Sequence, residues 1–132
     1  KVELLYVALK GSCDSHALYI SDDHRETILE ATRCEFSDSD IGAFVESDSR
    51  RTSATFNNCL FPENNTGIFG AGATIHLHGD ATALDSNRKY GIDASSSCKV
   101  IIHLPSDHNT SYNNEEDDRF TSSEGTITNV ED

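Results

Sequence analysis

The stretch Asp22-Asp23-His24-Arg25-Glu26-Thr27-Ile28-Leu29-Glu30-Ala31-Thr32-Arg33-Cys34 decides the fold class. Either aspartate can cap the free amides of a first helical turn, and Glu26 follows Asp23 by three, as in a capping box. Ile28 and Ala31 then share a face with Cys34 close to it, while Arg25, Glu26, Glu30 and Arg33 point largely elsewhere. The pattern predicts a helix from about residue 23 to about residue 35.

Working outward, Val2 to Leu9 is strand-like and apolar on both faces. Lys10-Gly11-Ser12 reads as a turn and Ala17 to Ile20 as a partner strand, so a hairpin is expected before the helix. After the helix the chain alternates between strands and loops. Ile41 to Val45, Ser53 to Phe61, Ile68 to His78 and Cys98 to Leu104 are strand candidates, and Pro105 stops the last. Segment 106–123 is rich in Asn, Asp, Ser and Glu and reads as a mobile acidic loop, with Thr126 to Val130 returning as an edge strand. No internal repeat is evident. The expected fold is α+β: one helix packed on a twisted, mostly antiparallel sheet, in a single domain over residues 1–132.

An apolar fraction of 36% implies a thin core that gains from covalent help. Cys13, Cys34, Cys59 and Cys98 have no C-x-x-C spacing, which disfavours a zinc knuckle and suits two disulfides. Three pairings are open. The chain lacks methionine and has no signal-like apolar start, so it reads as a mature secreted product freed of its leader. Asn64 and Asn109 stand in glycosylation sequons. No apolar run is long enough to span a bilayer as a helix. The formal charge of −13 disfavours nonspecific nucleic-acid binding and anionic membranes.

Chemistry centres on the histidines. His76 and His78, two apart on a strand, project from one face and can share a metal ion. Two half-exposed strand histidines are the plainer account. Gly70-x5-His76-x-His78 resembles the first half of the cupin metal motif, which implies a metal-binding barrel with His103 as a possible further ligand. His103 and His108 flank Pro105 and, with His76, are candidates for acid–base catalysis in a hydrolase. No G-x-S-x-G elbow or phosphate loop is present, and Gly67, Gly70 and Gly72 read as backbone turns. Arg50-Arg51 and Arg88-Lys89 are dibasic pairs on surface loops.

Cys13 to Cys34, with Tyr19-Ile20-Ser21-Asp22-Asp23 leading into the expected helix, resembles the small secreted guanyl-specific ribonucleases of fungi and the ribonuclease-like effectors of plant-pathogenic fungi. Phe56-Asn57-Asn58 is similar to the end of that family's Tyr-Pro-His-x-Tyr-Asn-Asn segment. In that alignment Ala54 and Thr52 fall where the family has its histidine and tyrosine, so the resemblance implies the scaffold without the cleavage. The leading expectation is a secreted, effector-like binding protein that acts on a protein target and needs no cofactor. A histidine-based ribonuclease and a cupin-like metal protein are the alternatives.

Overall fold

From Thr27 the chain alternates instead of spiralling. Leu29 and Ala31 are buried, Glu30 between them is exposed, and Thr27–Thr32 is a strand. A two-residue period places Leu29 and Ala31 on one face, and β-branched Thr27, Ile28 and Thr32 favour extended backbone over helix. Asp22 is not a helix cap. It is buried, and its carboxylate accepts hydrogen bonds from the hydroxyls of Ser47 and Ser49, tying one turn to the turn a full circuit later.

The computed structural model describes residues 1–22, 25–104 and 110–131. Among them there is no helix, and the strand pairings are parallel. One sheet stacks Val2–Leu5, Thr27–Thr32, Thr52–Asn57, Thr74–His78, Lys99–Leu104 and Thr126–Glu131, in that order. A second stacks His16–Ile20, Ile41–Glu46, Thr66–Ala71, Tyr90–Ser95 and Asp117–Thr121. Short pairs, Ala8–Lys10 with Glu35–Ser37 and Leu84–Asp85 with Ser111–Tyr112, mark a third side, bridged through Leu60. Each circuit thus lays one strand on each large sheet. The chain is a parallel β-solenoid.

A residue meets its equivalent on the next rung after 25 positions for Leu29 and Ala54, 21 for Ala54 and Ile75, and 27 for Val100 and Ile127. Stacked equivalents fill the interior. Leu29, Ala54, Ile75 and Val100 form one buried column, and Phe56, Leu77 and Ile102 fall in another with Ala31. At the short third side Phe36 and Phe61 stack with centroids 5.2 Å apart, and Phe56 meets both edge-on. A solenoid buries a continuous core because each rung covers its neighbour, so a modest apolar fraction suffices.

A polar ladder runs beside these rings. Asn64 Oδ1 accepts from the Ser39 amide at 3.1 Å and its Nδ2 donates to the Phe36 carbonyl at 3.0 Å. Asn87 and Asn114 repeat the arrangement on later rungs, Asn114 donating to the Leu84 carbonyl at 2.9 Å. Glycine makes room for it. A Cβ on Gly42 would lie 2.6 Å from the Gly67 carbonyl oxygen and 2.8 Å from Asn64 Nδ2; one on Gly67 would lie 2.6 Å from the Gly91 carbonyl oxygen. The repeat is therefore Cys34-x-Phe36-x-x-Ser39-x-x-Gly42, then Cys59-x-Phe61-x-x-Asn64-x-x-Gly67, then Thr82-x-Leu84-x-x-Asn87-x-x-x-Gly91.

Several expectations are corrected by this architecture. The α+β fold with a helix over 23–35 and a mostly antiparallel sheet is replaced by strands in parallel. The opening hairpin does not form, since Val2–Leu5 pairs with Thr27–Thr32 and His16–Ile20 with Ile41–Glu46. Ile68 to His78 is two strands, in different sheets, and the chain does contain a repeat. Within the expected acidic loop, Ser111–Tyr112 and Asp117–Thr121 are strands. The strands expected over Ile41 to Val45, Cys98 to Leu104 and Thr126 to Val130 are present, and the one expected over Ser53 to Phe61 ends at Asn57. Cys34, Cys59 and Cys98 are buried among core side chains, and Cys13 is exposed. The Asn64 side chain is fully buried and hydrogen-bonded.

Candidate metal centre on the outer face

Ile75 and Leu77 are fully buried, which turns Thr74, His76 and His78 outward on their strand. On the next rung Val100 and Ile102 are buried, which turns His103 outward as well. The register sets Ile101 beside His76 and Ile102 beside Leu77, so its continuation brings His103 beside His78. Their rings stack with centroids 3.9 Å apart and planes 12° from parallel. His76 completes the group, its Nδ1 lying 2.8 Å from His103 Nε2.

One nitrogen from each of the three imidazoles lies within 4.8 Å of the others, and all three residues are half-buried. Zinc–imidazole bonds are about 2.0–2.1 Å, so small ring rotations bring three such nitrogens onto one ion. Burial holds the His76 imidazole below its ordinary pKa, and neighbouring His103 and then His78 add to the effect. A neutral imidazole is the form that ligates a metal. Three ligands from one sheet face leave the outer side of an ion to solvent.

The expected pairing of His76 and His78 is therefore present, with His103 joining them. The acid–base alternative gains less. His76 and His103 do meet, yet the charged groups that act on His76 are imidazoles. Glu30 shares its column but sits two rungs away, roughly 9.6 Å at ordinary strand spacing. His108 and Asn109 lie outside the described residues. The cupin barrel is replaced by the face of a solenoid, although the two histidines of its motif do converge. Sequence spacing grouped His103 with His108; the signal that links it to His78 is their separation of 25, one rung of the coil.

No family model, curated protein or solved structure matches this chain.

Proposed function

We propose that the protein is a binding protein of the β-solenoid class that holds a divalent transition-metal ion through His76, His78 and His103. The convergence of three imidazole nitrogens within 4.8 Å carries this reading. Imidazole suits zinc, copper and nickel over calcium or magnesium, which prefer oxygen ligands. The rigid ladder supports it too: each ligand stands on a strand whose alternate side chains are locked in the core, so little ordering is needed when an ion arrives. The reading keeps the expectation of a binding protein over a catalyst.

Calorimetric titration of the metal-free chain with zinc tests it. One equivalent should bind, and His78→Ala or His103→Ala should weaken binding at least tenfold while circular dichroism stays unchanged. Failure of zinc, copper and nickel to bind, or binding that survives both substitutions, overturns the proposal.

A further inference from the structure

The second large sheet carries a different ladder on its outer side. Tyr19, Phe44 and Phe69 are register partners on three successive rungs, with ring centroids 5.2 and 5.0 Å apart. The next place in the column belongs to Asp93, and the one after it to Phe120, which stacks instead on Tyr90. The ladder thus lacks one ring. Phe69 is covered by Phe44 on one side, and among the described residues no ring stacks on its other side.

A cavity of about 470 Å³ opens there, lined by Phe69, Asp93, Asp40 and Glu116 among others. Arg88 and Lys89 also line it, each with a contact of its own. Arg88 Nε donates to Asn65 Oδ1 at 2.8 Å, Asn65 in turn donates to Asp40 Oδ1, and the Lys89 ammonium sits 5.1 Å from the Tyr90 ring centroid. Neither cation is within ion-pair distance of the three carboxylates. Oδ1 of Asp93 is buried and has no hydrogen-bond partner among the described residues.

We infer that this cavity receives the guanidinium of an arginine side chain presented by a partner protein, stacked on Phe69 and paired with Asp93. Guanidinium is the cation that meets both surfaces at once: it is flat enough to lie on an aromatic face, and its forked N–H groups match a carboxylate. An ammonium is a compact point charge and uses only the second feature. The formal charge of −13 steers a basic partner toward the chain and an anionic ligand away from it. Burial raises the Asp93 carboxyl above its ordinary pKa more than Lys89 lowers it, so the group gains from a further cation beside it. The site is on the other large sheet from the imidazoles and does not depend on them.

Chemical-shift mapping on isotope-labelled protein tests the inference with acetyl-Gly-Arg-Gly-amide and its lysine counterpart. The arginine peptide should shift the amides of Phe69, Asp93 and Asp40 saturably, and the lysine peptide should bind at least fivefold more weakly. Asp93→Asn and Phe69→Leu, each checked for an unchanged circular dichroism spectrum, should weaken arginine binding at least fivefold. Equal binding of the two peptides, shifts elsewhere, unchanged binding by Asp93→Asn, or preferential occupation of the same residues by guanosine or a neutral disaccharide would each overturn it.

Discussion

The backbone N–H of Asn64 donates to Oδ1 of Asn87 at 3.0 Å, joining two residues that are 23 apart in sequence and adjacent rungs of the coil. Asn87 also donates through Nδ2 to Asn114 Oδ1 at 2.8 Å, so one buried side chain secures three rungs. Asn87→Ala leaves the buried Asn64 amide without its acceptor and removes one of the bonds that Asn114 Oδ1 accepts, at a cost of roughly 2–4 kcal/mol. The melting temperature should fall by roughly 6–15 °C. Asn129→Ala, at an exposed position in the last rung, should change stability by less than about 0.5 kcal/mol. Thermal melts of the two variants separate these outcomes, and equal effects would deny the ladder its role.

The same residues show how much of the fold was legible. Ile41 to Val45 and Lys99 to Leu104 announce themselves because apolar residues alternate with others in a run too short for a helix. The stretch after Asp22 misleads because Ile28 and Ala31 satisfy a helical spacing by coincidence, while the informative pair is Leu29 and Ala31. The repeat is harder to see. Its core columns accept any apolar side chain, and the step between rungs varies from 21 to 27. Yet Tyr19, Phe44 and Phe69 are spaced by 25, as are Cys34 and Cys59, Phe36 and Phe61, Gly42 and Gly67, and His78 and His103. The metal ligands and the aromatic ladder are visible in sequence only once that period is known.

The cysteines yield a count that can be checked. The Cys59 thiol is pushed up to about 11 and Cys98 to about 12, in each case chiefly by burial, and a thiol reacts through its thiolate. If all four cysteines are reduced, native protein should show one fast sulfhydryl, Cys13, toward a disulfide reagent, and four after denaturation without reductant. A count of zero after denaturation would show two disulfides and favour the expected extracellular location.

Metal binding predicts a linked gain in stability. A ligand that binds only the folded chain, at a free concentration about 100 times its dissociation constant, adds about 2.7 kcal/mol. Zinc should accordingly raise the melting temperature by several degrees. His78→Ala should remove that gain, whereas His16→Ala, on the aromatic side of the solenoid, should keep it. A zinc-dependent rise that is indifferent to His78 would place the ion elsewhere.

Asp93 gives a test in which function and stability move in opposite directions. Folding takes its carboxyl into surroundings that disfavour the charge, so the folded chain holds this proton more tightly than the unfolded one. The stability linked to the group is full below the ordinary carboxyl value of 3.8 and is lost as pH rises through the higher folded value. At neutral pH the ionised group is a burden. Asp93→Asn, neutral throughout, should thus melt higher than the parent at pH 7, and the difference should close toward about pH 3, where both side chains are uncharged. Other carboxyls titrate over the same range, but they do so in both proteins and cancel in the comparison. A stabilised variant that has also lost the arginine peptide marks Asp93 as kept for binding at the expense of stability. A destabilised one, or a difference that ignores pH, would mean that the half-buried carboxylate serves the fold after all.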